Sequence, residues 1–268
     1  MSKRKTWWQA MGVVAMAALS QSAMAAMQAR PVEWTVGKDT FSGVLVYDDA
    51  EHDERPGLVM VPNWMGVTDT AVETAKKLAG DDYVVLVADV YGKGRRPADA
   101  GEAGKLAGGL KQDTATLRTR ALKAVEALKA QAGKAPLDAS RIGAVGFCFG
   151  GSTVLELVRA GTPLAGAVSL HGGLSTPTPA AAGVARTPVL VLNGAADKSV
   201  GAQDIAAFEQ EMDRAGADWQ FVDFSGAVHC FAEAEAGNDP ASNCRYDARA
   251  AKRAYRMLHD FFEERFGD

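Results

Sequence analysis

The chain has 268 residues, of which 47% are hydrophobic and 23% are charged, and its formal net charge at pH 7 is -4. This is the composition of an ordinary globular protein, with enough residues for one large core or two modest ones. The weak negative charge and the lack of a long basic run argue against nucleic acid as a partner, because nucleic-acid-binding proteins gather Lys and Arg on one face.

The first 25 residues have the pattern of a secretory signal peptide. A positive segment at residues 3–5 precedes a mostly apolar stretch over residues 7–19, and a small-x-small cleavage pattern ends at Ala25. The apolar stretch includes Gln9 and is short for a membrane span, so we expect cleavage after Ala25 rather than an uncleaved anchor. The mature protein would then be periplasmic or secreted, in an oxidising compartment and without a stable membrane anchor.

The remainder of the chain, residues 26–268, is expected to form a single domain, because no internal repeat or low-complexity linker interrupts it. Alternating and β-branched residues at 30–36 and 40–47 are separated by a Gly-Lys-Asp turn. This pattern predicts an antiparallel hairpin at the edge of a sheet.

After the hairpin, short apolar runs alternate with helix-like segments. The predicted strands cover residues 57–61, 83–88, 141–145, 164–169, 187–192 and 219–224. The predicted helices cover residues 69–79, 111–132, 151–160, 201–215 and 246–266. The alternation predicts an α/β fold with a doubly wound, mostly parallel sheet, whose functional residues lie at the carboxyl ends of the strands.

The segment Gly-Phe-Cys-Phe-Gly at residues 146–150 joins a predicted strand to a predicted helix. It has the pattern of the nucleophile elbow of α/β-hydrolases, with Cys148 where serine is usual. Gly146 and Gly150 fit this reading, because a side chain two positions from the nucleophile would collide with the neighbouring strand or helix. The helix N-terminus also favours a thiolate. The alternative is a buried structural cysteine beside a tight strand–helix contact.

An elbow nucleophile needs an acid after a later strand and a histidine after a strand beyond that. Asp197, in NGAADKSV, and His229, in SGAVHCF, occupy these two positions. We therefore predict a catalytic triad of Cys148, Asp197 and His229. His171 ends an earlier strand; it is a candidate for lining the substrate pocket, with a structural strand-end histidine as the alternative.

These segments resemble those of the dienelactone hydrolase family, which has the α/β-hydrolase fold. GFCFGG, NGAADKSV and GAVHCF are similar to the family's nucleophile, acid and histidine segments, while VMVPNWMGVTD and ADVYGKGRRP are similar to its oxyanion and pocket loops. The resemblance runs from Val32 to Phe266 and implies hydrolysis of an ester or lactone. By similarity, the backbone N–H groups of Trp64 and Phe149 form the oxyanion hole.

One departure from the family's pattern concerns the activation of the nucleophile. The family carries a glutamate after the third strand that helps to ionise the cysteine, and the matching position here is Asn63. An amide cannot accept that proton, so thiolate formation would depend on a direct pair between Cys148 and His229. Asn63 is retained as a candidate for substrate binding.

A second departure concerns the binding of a substrate carboxylate. Family members that act on dienelactone use arginines for this purpose, but Glu233 stands at one such position. Lys93 and Arg95, in the loop after residues 83–88, are candidates for supplying a positive charge from the other side. Their alternative role is that of an ordinary solvated basic turn.

The three cysteines of an exported chain allow one disulfide and one free thiol. Cys230 and Cys244 lie close in sequence, around a loop rich in turn residues. We predict a disulfide between them that holds the loop carrying His229 and leaves Cys148 free. The alternative is two reduced, half-buried cysteines.

The predicted reaction is acyl transfer from a small-molecule ester or lactone through an acyl-cysteine intermediate. It requires no metal and no organic cofactor, and no partner subunit, so a monomer is expected. Two other readings remain open. One is a general carboxylesterase or thioesterase with the same site, and the other is a thiol redox or ligand-binding protein that has this scaffold but no hydrolytic activity.

Overall fold

Eight strands and six helices make up the regular structure of the computed structural model, which describes residues 27–50 and 53–267. The strands are β1 (Met27–Val36), β2 (Asp39–Asp48), β3 (Arg55–Val61), β4 (Val84–Val87), β5 (Leu137–Phe147), β6 (Ala167–Leu170), β7 (Val189–Gly194) and β8 (Trp219–Phe224). The helices are α1 (Asp69–Ala79), α2 (Ala100–Gln112), α3 (Thr114–Lys129), α4 (Phe149–Arg159), α5 (Ala202–Ala215) and α6 (Ala248–Phe266), with a short 3-10 helix at Ala234–Ala236. The predicted signal peptide lies outside the described residues.

All eight strands belong to one sheet, in the order β1-β2-β4-β3-β5-β6-β7-β8. The strands β1 and β2 pair antiparallel along their whole length, and β2 pairs antiparallel with β4. Every other neighbouring pair is parallel. The predicted α/β fold, with a mostly parallel sheet and an antiparallel hairpin at its edge, is therefore confirmed.

The helices cover both faces of the sheet, which explains the continuous apolar runs in the sequence. On one face, α1 and α6 pack through residues such as Leu78 and Phe262. On the other face, α2, α3, α4 and α5 pack through residues such as Leu117, Val154 and Phe208. The central strands β3, β4, β6 and β7 are buried over their whole length. None of the helices in the described ranges is long and apolar enough to cross a membrane.

The helix predicted over residues 111–132 is wrong at its start, because two helices meet at Asp113. The backbone N–H of Asp113 donates to Gly109 and ends α2, while its side chain accepts from the N–H of Thr116 and begins α3. Helix α2 was not predicted because four glycines, at positions 101, 104, 108 and 109, lower its helix propensity. It forms nevertheless, since Asp99 caps its first turn and Ala103, Ala107 and Leu110 are buried.

Candidate active site

The predicted site residues meet at the carboxyl ends of the parallel strands. Cys148 follows β5, His171 follows β6, Asp197 follows β7 and His229 follows β8. Trp64 lies in the loop after β3. This is the edge of the sheet where α/β folds place their ligands.

Cys148 lies in a sharp turn between β5 and α4. Its backbone is in the strained left-handed half of the φ range, at φ 53°. A Cβ atom at Gly146 would overlap the carbonyl oxygen of Gly150, and one at Gly150 would overlap that of Val61. Both glycines are therefore required for the turn, as the sequence predicts, and the sulfur-bearing residue remains partly exposed.

The three predicted triad side chains form a continuous chain of contacts. The Nε2 atom of His229 lies 3.1 Å from the sulfur of Cys148, and its Nδ1 atom lies 2.7 Å from Oδ2 of Asp197. Nδ1 carries a proton in this arrangement, because the carboxylate of Asp197 can only accept. The distances are those of a nucleophile, a base and a group that orients the base.

The electrostatics of the chain favour a charged imidazole. Burial lowers the pKa of His229, but its partners Asp197 and Cys148 outweigh this effect and raise that pKa to about 10. Burial raises the pKa of Asp197, but hydrogen bonds from His229 and Ser199 hold it well below its usual range. A protonated His229 beside Cys148 stabilises a sulfur anion, so the pair can supply a nucleophile near neutral pH.

The disulfide between Cys230 and Cys244 is present, which confirms that prediction. It joins the loop after β8 to a segment that contacts both His229 and Asp197. His229 forms a parallel bridge with Cys244, and Asn243 Nδ2 donates to Oδ1 of Asp197 at 3.1 Å. The disulfide therefore holds together the segment that orients His229 and Asp197.

The two residues predicted to form the oxyanion hole are joined by Tyr91. Its hydroxyl donates to the carbonyl oxygen of Trp64 at 2.9 Å, and its ring stacks on that of Phe149 with 5.7 Å between centroids. Close packing of Gly150 against the end of β3 brings their loops together. This arrangement suits two backbone donors beside the sulfur, although their role as an oxyanion hole stays a prediction.

His171 lies within the protein rather than on the wall of a pocket. It is fully buried, and its Nδ1 accepts a hydrogen bond from the backbone N–H of Cys148 at 3.1 Å. Burial, helped by the nearby His229, lowers the pKa of His171 to about 3, so the ring is neutral. The structure therefore places this side chain behind the elbow, where it cannot reach a substrate, and favours the structural alternative.

Asn63 is engaged by Glu233. Its Nδ2 donates to Oε1 of Glu233, and its Oδ1 accepts from the backbone N–H of Met65 at 3.0 Å. Glu233 is 9% exposed, and burial raises its pKa to about 7. The residue that replaces the family's glutamate thus faces a carboxyl group supplied by another loop.

The structure does not bring Lys93 to the triad, and it places Arg95 in a neighbouring cleft. Lys93 forms an ion pair with Glu33 of β1 at 2.7 Å, and both side chains are about half exposed. Arg95 lines a cleft with Tyr91 and with residues of α2 and α3. Lys93 therefore matches the alternative of a solvated turn, while Arg95 borders the site only through Tyr91.

Tyr91 and Asn243 are among the residues of the site that were not identified from the sequence. Tyr91 lies in the quoted segment ADVYGKGRRP, but nothing in that segment shows that its hydroxyl reaches Trp64. Asn243 immediately precedes Cys244, which was predicted to pair with Cys230 beside His229. The predicted disulfide was therefore the feature of the sequence that could have placed Asn243 near His229.

Comparisons with known proteins agree with this geometry. A model of the dienelactone hydrolase family matches residues 41–266. A solved structure named m3DLH is 36% identical, with a TM-score of 0.83, over 89% of this chain and 98% of that one. A dienelactone hydrolase-like promiscuous phosphotriesterase from metagenomic libraries is also 36% identical, with a TM-score of 0.81 over the same shares. An uncharacterised Caenorhabditis elegans protein is 31% identical over 139 residues, which are 48% of this chain and 84% of that protein.

Proposed function

The chain belongs to the dienelactone hydrolase family, and from this premise we propose that it hydrolyses small-molecule esters or lactones through an acyl-cysteine intermediate. The observation that carries the proposal is the continuous contact from the Cys148 sulfur to His229, at 3.1 Å, and from His229 to Asp197, at 2.7 Å. A structural cysteine would not require an imidazole at this distance from its sulfur that is itself oriented by a carboxylate.

In the proposed mechanism, the thiolate of Cys148 attacks the carbonyl carbon and forms a C–S bond. The carbonyl oxygen becomes an oxyanion, which the N–H groups of Trp64 and Phe149 stabilise. The C–O bond of the ester then breaks, and His229 donates its Nε2 proton to the departing alkoxide. In the second half, His229 takes a proton from water, the resulting hydroxide attacks the thioester, and the acid leaves as the thiolate re-forms. Asp197 fixes the orientation of the ring throughout.

Thiolate formation by the Cys148–His229 pair agrees with the surroundings of Asn63. The amide of Asn63 is occupied by Glu233 and Met65, so it has no part in ionising the sulfur. The two side chains lie within hydrogen-bond distance, and the raised pKa of His229 favours the ion pair at neutral pH. Activation therefore needs no additional base.

The test is hydrolysis of a short p-nitrophenyl ester by the wild type, Cys148→Ala and His229→Ala. We expect each change to lower kcat by about 10³-fold or more, since members of a triad act as a unit. Mass spectrometry of rapidly quenched wild type should show one acyl group on Cys148. Hydrolysis that is unchanged in both variants would show that the triad assignment is wrong, whereas a wild type with no turnover above buffer would favour a non-hydrolytic protein on this scaffold. A panel of aryl esters, thioesters and lactones would separate a lactone hydrolase from a general carboxylesterase or thioesterase.

A second candidate activity is slow cleavage of phosphotriesters. It is favoured by the 36% identity to a promiscuous phosphotriesterase over nearly the whole of that protein. Attack of Cys148 on phosphorus would form a P–S bond and release an aryl oxide. We expect an aryl dialkyl phosphate to give aryl oxide with the wild type and none above background with Cys148→Ala. Release that is independent of Cys148 would overturn this activity but not the esterase.

We also propose that the protein works outside the cytoplasm. The support is the signal-peptide pattern of residues 1–25 together with the Cys230–Cys244 disulfide, a bond that persists in oxidising compartments. Fractionation of cells that express the full chain should recover a shortened, disulfide-bonded protein in the periplasm or the medium. Recovery of the uncut chain in the cytoplasm, with all three thiols free, would contradict export.

A further inference from the structure

Glu233 is a buried carboxyl group that the proposed mechanism does not use. It lies in the segment closed by the disulfide, where its backbone N–H donates to the carbonyl oxygen of Cys230 at 2.9 Å. Burying a carboxyl group is unfavourable unless polar partners replace the lost water. The groups that face its two oxygens therefore indicate the role of Glu233.

One oxygen of Glu233 faces the loop that carries Trp64. Oε1 accepts a hydrogen bond from Nδ2 of Asn63, and Oδ1 of Asn63 accepts from the N–H of Met65. Asn63 and Met65 are the two sequence neighbours of Trp64. This side of Glu233 thus fixes the peptide group that we propose as one donor to the oxyanion.

The other oxygen faces the elbow, with His171 between them. Oε2 lies 3.9 Å from Nε2 of His171, whose Nδ1 accepts from the backbone N–H of Cys148. Because Nδ1 accepts and the ring is neutral, its proton is on Nε2. That buried N–H has no hydrogen-bond partner among the described residues, and Oε2 of Glu233 faces it just beyond bonding distance.

We propose that Glu233 is a positioning residue for the oxyanion hole, which aligns the Trp64 donor through Asn63 and the Phe149 donor through His171. In its ionised form the carboxylate accepts from Asn63 and, after a closure of about 1 Å, also from Nε2–H of His171. With a proton on Oε2 the carboxyl group presents an O–H donor and a much weaker acceptor to this N–H, and the elbow loses this support. The inference rests on the proposed hydrolytic function.

The ionisation of Glu233 is expected near neutral pH. Burial raises its pKa to about 7; the charge of Glu235 contributes in the same direction, while Asn63 and His229 oppose it. The other titratable groups that face it do not change charge there, since the pKa of His171 is about 3, that of His229 is about 10 and burial raises that of Tyr255 on α6 above its usual value. A cavity of about 20 Å³ beside Asn63 and Glu233 has room for one water to take the proton.

The test compares Glu233→Gln with the wild type, with the exposed Glu235→Gln as a control that removes a charge from the same loop. For a p-nitrophenyl ester at pH 8, we expect Glu233→Gln to lower kcat about tenfold, a part of the loss that follows removal of a whole oxyanion donor. KM should stay within about twofold. In the wild type kcat should rise as the pH passes through about 7, and this rise should vanish in Glu233→Gln. Glu235→Gln should keep kcat at pH 8 and move the rise to lower pH.

The rate at which iodoacetamide alkylates Cys148 measures the nucleophile alone, because this reaction forms no oxyanion and so does not depend on the oxyanion hole. We expect the same alkylation rate in the wild type and in Glu233→Gln. Asn63→Ala removes the hydrogen bond between Asn63 and Glu233 from the side of Asn63. We expect it also to lower kcat and to leave the alkylation rate unchanged, and it is the alternative variant if Glu233→Gln does not fold. A wild-type kcat in both variants, or a parallel fall in turnover and alkylation, would overturn the inference. Failure of the proposed function would differ, because turnover would then survive Cys148→Ala.

Discussion

At the scale of single residues, the geometry at Cys148 predicts how its reactivity depends on pH. His229 keeps its proton up to about pH 10, so the sulfur has a cationic neighbour throughout the neutral range. We expect the rate of alkylation by iodoacetamide to be nearly constant between about pH 6 and pH 8. In His229→Ala it should rise close to tenfold per pH unit, as for a free thiol with a pKa of about 8.5. A steep rise in the wild type would contradict the ion pair.

Tyr91 gives a second prediction at this scale. Tyr91→Phe removes the hydrogen bond to the carbonyl oxygen of Trp64 but keeps the ring that stacks on Phe149. The bond is worth about 0.5–1.5 kcal/mol, so we expect kcat for an aryl ester to fall by about two- to tenfold. Tyr91→Leu, which also removes the aromatic ring, should lower kcat further. Equal rates for Tyr91→Phe and the wild type would show that the hydroxyl does not align Trp64.

The residues that were predictable from the sequence are those whose role requires a fixed place in the chain. Glycines lie two positions before and after Cys148 because no other residue fits the turn there, and Asp197 and His229 each lie in the loop that follows a strand. Tyr91 and Asn243 act through side-chain contacts with residues far away in the sequence. No local pattern records such contacts, because they depend on how distant loops meet.

At the scale of elements, the segment closed by the disulfide orients both His229 and Asp197. The contribution of the disulfide to stability and its contribution to activity can be measured separately. The double change Cys230→Ser with Cys244→Ser should lower the free energy of unfolding by about 3 kcal/mol, as expected for a closed loop of this length. It should also lower kcat, because the segment aligns both His229 and Asp197. Urea unfolding and ester hydrolysis measure the two effects. A loss of stability with full activity would mean that the segment needs no covalent closure to orient the site.

Asn243→Ala is the matched change that leaves the disulfide intact. It removes the hydrogen bond to Asp197, which keeps those from Ser199 and His229, and also the bond that Oδ1 of Asn243 accepts from the backbone N–H of Lys198. We expect kcat to fall by about fivefold, equivalent to about 1 kcal/mol, with little change in the unfolding midpoint. A variant with wild-type kcat would show that Ser199 and His229 suffice to orient Asp197.

Element boundaries were predictable where apolar periodicity and caps agree. The prediction for α1 matches the structure because Thr68 caps it and alanines and Leu78 give it a buried face. The boundary between α2 and α3 was missed, since Asp113 ends one helix and caps the next within a continuous polar stretch. Tertiary packing of Ala103 and Ala107 outweighs the low propensity of a glycine-rich helix.

At the scale of the whole molecule, a buried ionic network joins α3, α4 and α5. The side chain of Arg159 is 1% exposed and pairs with Glu156 and Glu211, and Glu156 also pairs with Arg118. Arg159→Leu leaves the buried carboxylate of Glu211 without its ionic partner and leaves Glu156 with Arg118 alone, so we expect the free energy of unfolding to fall by about 3–5 kcal/mol. Lys123→Ala, which breaks an exposed pair with Glu126, should change it by less than about 1 kcal/mol. Similar small values for both changes would mean that the network contributes little.

The class of the fold was predictable because strands buried on both faces leave continuous apolar runs, and a chain that alternates them with helices must form a parallel sheet. The order of the strands in the sheet was not predictable from the sequence. In the structure β2 lies beside β4 rather than β3, and β3 occupies a central position between β4 and β5. This order depends on the path of the crossovers over the sheet, which the sequence of each element does not encode.

Three glycines of helix α2, at positions 104, 108 and 109, have room for a side chain. A methyl group at Gly104 would lie 3.7 Å from the ring of Trp64, and one at Gly108 or Gly109 would meet no atom within 4 Å. Adding side chains at these positions incurs no steric penalty, and alanine there would raise helix propensity by up to about 1 kcal/mol per site. The outer surface of α2 can therefore carry larger residues that make the helix more resistant to heat, and at Gly104 such a residue would also border the ring of Trp64.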